Sequence, residues 1–299
     1  MWQFFELGSL FTSAAQDVVD KFAIVRNRSI DTLIASFYRT VFFFLATIVI
    51  GLLGFLGDLK FFLHWQMLLF APLCVTSSLL WTYILRNIEV LTISAAFYLA
   101  PLLYLVVDTH LLAMHFTATQ IAGMFLLVAG GISFSIDGKT FRFKPELTRG
   151  VWAALVLTVL YNGAEAYFFK YLNSTYSVNG VSFYASLWLL GTTALLGIVL
   201  IQGKLPLLID KNSRSYVPKI AVSKSCDAAS SVLSAQALSL AAVSQVTAFD
   251  ALYPLISFTL VLVAQGSFKM PLNEQLHPRH LLWKAGAIVL LLAGSLMVA

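Results

Sequence analysis

Charge is what this 299-residue sequence has least of: Asp, Glu, Lys and Arg make up 11% of it, against roughly 25% in an ordinary soluble domain. Too few ionisable groups remain to hydrate a soluble globule, whose surface must be covered largely by polar side chains. Cysteine is equally scarce. Cys74 and Cys226 both sit in apolar stretches and read as small packing residues, not as a disulfide. No basic tract exists, so the net charge of +5 falls singly or in small groups between apolar runs and excludes a nucleic-acid surface. Metal-ligand spacing, a nucleophile elbow, a phosphate-cradling glycine loop and a nucleotide fingerprint are all missing. The expectation is a chain that is no enzyme and carries neither cofactor nor metal. A cleavable leader is not expected either, because the first apolar run lacks a basic start and carries Asp17, Asp20 and Lys21.

What fills the sequence is apolar: 59% of residues are hydrophobic and the mean hydropathy is +0.85. A spanning helix needs about 20 mainly apolar residues, and only helices or closed barrels satisfy their backbone in lipid. Runs near 3–25, 30–55, 63–85, 90–110, 117–136, 149–172, 179–201, 218–241, 244–267 and 281–298 meet that need. They are too long and continuous for the alternating strands of an outer-membrane barrel. The expected fold is an all-α integral membrane protein of ten transmembrane helices. Two connections, 137–149 and 203–219, are longer and polar, and the first divides the helices five and five.

The halves echo each other. Ser36-Phe37-Tyr38 in the second run recurs as Ser182-Phe183-Tyr184 in the seventh, and Ala95 to Leu102 in the fourth aligns with Ala248 to Leu255 in the ninth. At that same displacement Ser77-Ser78 falls on Ser230-Ser231, while Leu126 to Gly130 finds its echo in Leu290 to Gly294. Five helices per half is an odd number, so the second half must enter the membrane in the opposite sense. This predicts two inverted five-helix repeats, 1–136 and 150–299, joined by the loop 137–149. Lys and Arg cluster in the odd-numbered loops, with Lys60 and Lys170 the exceptions; that bias puts those loops in the cytoplasm and both termini outside.

Ionisable groups inside such helices are costly and are functional candidates by default. In the first helix Ser13, Asp17, Asp20 and Lys21 share a face, where Asp17 could pair with Lys21 or serve a ligand. Glu165 lies deep in the sixth helix beside Tyr161 and Asn162, and a Tyr161 to Glu165 bond would make it architectural. Asp250 is mid-helix in the ninth run near Tyr253 and Pro254. Asp227 begins the eighth on a stripe of Ser230, Ser231 and Ser234, serines that could equally serve close packing. Arg39, early in the second, could hold an anionic group or neutralise an acid across the bundle. Pro101 and Pro254 stand at matching places, and paired helix interruptions point to a midplane site. Tyr98, Tyr104, Phe249, Tyr253, Trp81, Tyr83, Tyr184 and Trp188 surround them and, beside acids, suit an organic cation. Glycines such as Gly51, Gly123 and Gly130 read as close helix contacts, and the five histidines, at helix ends or loops, as interfacial.

These motifs resemble the drug/metabolite transporter superfamily, in particular its ten-helix bacterial members. The likeness spans the whole chain: Asp20-Lys21 closing the first helix, Arg39, Leu99-Ala100-Pro101 and Leu252-Tyr253-Pro254, and Glu274 followed by a last helix holding Gly286 and Gly294. It departs from the family where His115 stands near the place of an expected acid, and in the orientation of the termini, which the family often keeps in the cytoplasm. The resemblance implies a multi-pass protein of the bacterial inner membrane, monomer or homodimer, that carries a small molecule by alternating access. The embedded acids Asp17, Asp20, Glu165, Asp227 and Asp250 outnumber Lys21 and Arg39, so an amine-bearing substrate with a possible coupling proton is the leading expectation. A flippase for a lipid or lipid-linked sugar and a non-transporting membrane scaffold are the alternatives.

Overall fold

The computed structural model describes residues 1–26, 30–54, 56–87, 100–110, 112–135, 149–253, 255–257, 259–260 and 278–298. Among them lie ten α-helices, two short 3-10 turns and no strand, so the chain is all-α. The helices are α1 (Trp2–Arg26), α2 (Thr32–Leu53), α3 (Trp65–Asn87), α4 (Ala100–His110), α5 (Ala118–Ser135), α6 (Arg149–Tyr176), α7 (Gly180–Ile201), α8 (Lys211–Leu240), α9 (Val243–Phe249) and α10 (Pro278–Val298). Four stretches, Thr32–Leu53, Trp65–Ile84, Gly150–Tyr176 and Gly180–Ile201, are long and apolar enough to cross a membrane.

Local chemistry sets several of these boundaries. Asp31 caps α2, its carboxylate accepting from the N–H groups of Leu33 at 2.9 Å and Ile34 at 3.4 Å. Asn179 caps α7 in the same way through Ser182 N–H at 2.8 Å. Gly54 closes α2 at φ +70°, a left-handed conformation that only glycine adopts freely.

Burial runs opposite to that of a soluble protein. Phe4, Ile201 and Leu296 are 78%, 88% and 79% exposed, whereas Glu6 and Asp20 are each 1% exposed and Arg39 4%. Around an apolar core, large apolar side chains also face outward and several charges lie within, the arrangement that a lipid surround favours. Small residues bring the backbones together. A Cβ on Gly294 would lie 2.8 Å from the carbonyl of Gly123, so α5 and α10 touch backbone to backbone. Gly180 lies equally tight against Ala235 of α8. Elsewhere α1 packs on α8, α2 on α7 and α8, α3 on α6 and α7, and α4 on α9.

One expectation is corrected and one refined. The eighth helix begins at Lys211, not near 218, with Pro218 inside it; its first turns are polar and lie outside the apolar run. Asp227 is therefore mid-helix and does not begin the segment. In the ninth, a 3-10 turn, Asp250–Leu252, interrupts the helix between Phe249 and Tyr253, so Asp250 is mid-segment as expected but stands at this interruption.

Candidate functional site

A central cavity of about 420 Å³ opens between α1, α2, α3, α4, α6, α7, α8 and the α9 region. Among the described residues none from α5 or α10 lines it. Its floor is built by two polar stripes. Along α1 run Glu6, Ser9, Ser13, Gln16 and Asp17, and along α8 run Lys224, Asp227, Ser230, Ser231 and Ser234. Spacings of three and four residues keep each set on one face. The stripes run antiparallel in contact: the Ser9 and Ser230 hydroxyls meet at 3.0 Å, and Ser223 donates to Asp20.

At one end of the stripes the charges are paired. Arg39 Nη1 donates to Asp20 Oδ2 at 2.8 Å; Lys224 Nζ lies 3.8 Å from the same oxygen and donates to Asp227. Arg39 therefore neutralises an acid across the bundle while also lining the cavity. Asp20, read at first as a helix-end residue, is instead the hub that joins α1, α2 and α8. Asp17 accepts from the Tyr253 hydroxyl, linking α1 to the segment after α9.

At the other end the acids lack cations. Glu6 and Asp250 face each other, with Ser9 and Ser234 beside Glu6, and Glu6 Oε2 is buried without a hydrogen-bond partner. Glu165 projects from α6 between Tyr161 and Tyr184. The Tyr161 hydroxyl, buried and turned toward that carboxyl, closes no hydrogen bond of good geometry, and the indole N–H of Trp188 is likewise buried without an acceptor. Tyr104 forms part of the wall because Gly163 makes room: a Cβ there would fall 2.4 Å from the Tyr104 ring, and the hydroxyl donates to Val159 O at 2.8 Å. Trp81 and Phe43 complete the aromatic lining.

Of the residues singled out from the sequence, Asp17, Arg39, Trp81, Tyr161, Glu165, Tyr184, Asp227, Asp250 and Tyr253 all line this one cavity. Pro101 is buried at the described start of α4, next to the lining residue Ala100. Tyr98, Pro254 and Glu274 lie outside the described residues. Tyr83, grouped with the aromatics above, is turned outward and exposed. Glu6, Lys224 and Thr158 were missed. Glu6 had a legible signal, since it starts the same three and four residue stripe that carries Ser9, Ser13 and Asp17.

A second missed acid, Asp108 of α4, is fully buried. It accepts from Tyr167 at 3.1 Å and from the Ser244 N–H at 2.8 Å, tying α4 to α6 and α9. Lys170 reaches the Ala241 carbonyl close by. These bonds knit the helix ends beyond the Glu6 and Asp250 pair.

The balance of charge on the walls is negative. Five carboxyls, from Glu6, Asp17, Glu165, Asp227 and Asp250, face two cations, Arg39 and Lys224, and both cations are already engaged by Asp20 and Asp227.

No family model matches the chain, and no curated protein matches it. Solved structures do share its fold. One, described only as "Crystal structure of protein", has a TM-score of 0.62 and 15% sequence identity, with 100% of this chain and 96% of that chain covered.

Proposed function

We propose that the protein is a secondary transporter of the drug/metabolite type that moves a small amine-bearing or otherwise cationic metabolite across the bacterial inner membrane. The observation that carries this reading is the acidic, aromatic-walled cavity whose lining cations among the described residues, Arg39 and Lys224, are already paired. A non-transporting scaffold would satisfy its own buried groups, and the Trp188 N–H, buried without an acceptor in the cavity wall, counts against it.

Ten spans built as two inverted repeats suit the pattern of contacts. Exchanging each helix for its counterpart five places on turns α1 on α8 into α6 on α3, and α2 on α8 into α7 on α3; both members of each pair occur. The pairs α2 with α7, α4 with α9 and α5 with α10 map onto themselves. At the last of these, Gly130 packs on Leu291 and Gly294 packs on Leu127, the reciprocal contacts expected of the echoed Leu-Leu-x-Ala-Gly segments. In such a fold, rocking of the halves about a central site gives alternating access. The Asp20 network and the Asp108 cluster, at opposite ends of the cavity, serve as the contacts that part in turn.

A thermal-shift series on the purified chain tests the proposal, with putrescine, tetraethylammonium, lysine, glutamate and a nucleotide sugar as probes. Cations stabilise it in proportion to the logarithm of their concentration, and Glu165→Gln weakens that response. Stabilisation by glutamate or the nucleotide sugar alone overturns the cationic assignment and favours the flippase alternative for the latter.

A further inference from the structure

We propose that Glu6 and Asp250 form a proton-binding carboxyl pair that couples transport to a pH gradient, separate from the acids that receive the amine. This rests on the transporter reading above and assigns the energising site within the same cavity.

Glu6 is 1% exposed, and its Oε2 has no partner. Its carboxyl faces that of Asp250 across the junction of α1 and α9. Two carboxylates withdrawn from water cannot both keep their charge without a positive neighbour, and a single proton held between them removes the conflict. Among the described residues no such neighbour comes from the packed elements. The titratable groups that face the pair are Tyr104 of α4, toward Asp250, and Tyr184 of α7, toward Glu6, with the Ser234 hydroxyl of α8 alongside. Arg39 and Lys224 are engaged at the far end of the stripe by Asp20 and Asp227.

A proton fits this place better than a metal cation. An oxygen-ligated ion takes about six or more oxygens, and among the described residues no third acid, histidine or cysteine joins the pair. The backbone lets one partner move. Asp250 stands where α9 gives way to a 3-10 turn, and interrupted helices of this kind are where transporters hold coupling ions. Of the acids that receive the amine, Asp17 is eleven residues further along α1, roughly 16 Å at the helical rise, and Glu165 stands on α6, with Tyr184 facing both it and Glu6. In the coupled step a proton from one side bonds to one carboxylate oxygen, the resulting O–H donates to the other carboxylate, and the same bond breaks toward the opposite side after the halves rock.

Two measurements decide it. In proteoliposomes holding the full chain, putrescine accumulation by the wild type rises with an imposed pH gradient, and whatever uptake Glu6→Gln or Asp250→Asn retains is the same with and without that gradient. In infrared spectra of the detergent-solubilised protein, a protonated-carboxyl C=O band titrates in the wild type and is lost in both variants, a readout that survives even if a variant carries nothing. Accumulation in Glu6→Gln that still follows the pH gradient overturns the pair, as does a sodium gradient driving the wild type in its place. A wild type that moves no cationic probe while showing the band leaves the pair standing as a proton site and overturns the transporter reading and its coupling.

Discussion

Arg39 of α2 donates to Asp20 of α1 across 2.8 Å, and both side chains are almost wholly buried. Ser223 and Lys224 of α8 converge on the same carboxylate, so three helices share one anion. Removing a single partner from a buried pair leaves an uncompensated charge, which costs about 3–5 kcal/mol. Asp20→Asn is expected to lower stability by that order, measured by chemical unfolding in micelles. The double replacement of Asp20 and Arg39 by apolar residues of similar size loses less than Asp20→Asn alone.

The Tyr161 hydroxyl is buried but unbonded. Deleting it removes only a poorly aligned contact with Glu165, which keeps Tyr184, so Tyr161→Phe should lower unfolding stability by less than about 1 kcal/mol. If the hydroxyl and the neighbouring Glu165 receive the guest, the same variant binds cationic probes more weakly. Titration of tryptophan fluorescence, with Trp81 and Trp188 in the cavity wall, reads that loss.

Gly294 and Gly286 lie on one helix and predict opposite outcomes. A methyl at Gly294 meets the backbone of α5 at 2.8 Å, which cannot yield cheaply, and Gly294→Ala is expected to cost about 1–3 kcal/mol. Nothing lies within 4 Å of a methyl at Gly286, so Gly286→Ala gains roughly 0.5–1 kcal/mol through helix propensity. Melting temperatures of the two variants check both signs.

Asp31, at the mouth of α2, pairs with Lys204 at 2.9 Å. Burial pushes its carboxyl up, but the bond from Lys204 and the N–H groups of Leu33 and Ile34 outweigh this and hold it below the usual carboxylate value. A lowered folded-state value means that the stabilisation is present above the unfolded carboxylate pKa, near 4, and is lost as pH falls through the folded value. Asp31→Ala should therefore cost about 1 kcal/mol at neutral pH. Its difference from the wild type should shrink in acid, followed by unfolding at a series of pH values.

Much of this was written in the sequence because lipid imposes a simple rule on it: apolar runs mark helices, and each embedded charge needs a reason. Asp17, Glu165, Asp227 and Asp250 were found by that rule and line one cavity. Glu6 and Asp108 were not, since each lies near the end of its apolar run, where a charge reads as interfacial. The polar start of α8 was missed because only apolarity was searched for, and helix formation does not stop where apolarity does. The partner of Arg39 could not be read either. Asp20 lies nineteen residues away, and their meeting depends on how α1 and α2 close on α8.

The backbone contact of α5 with α10 lies behind a cavity to which neither helix contributes a lining residue among those described. On the transporter reading, selection for what is carried acts on the helices that line the cavity, while α5 and α10 answer to fit. Homologues with different substrates should therefore keep the small residues at positions 123, 130 and 294 and vary the acids and aromatics of the walls, so that this seam makes the better marker of descent and the cavity the better marker of diet.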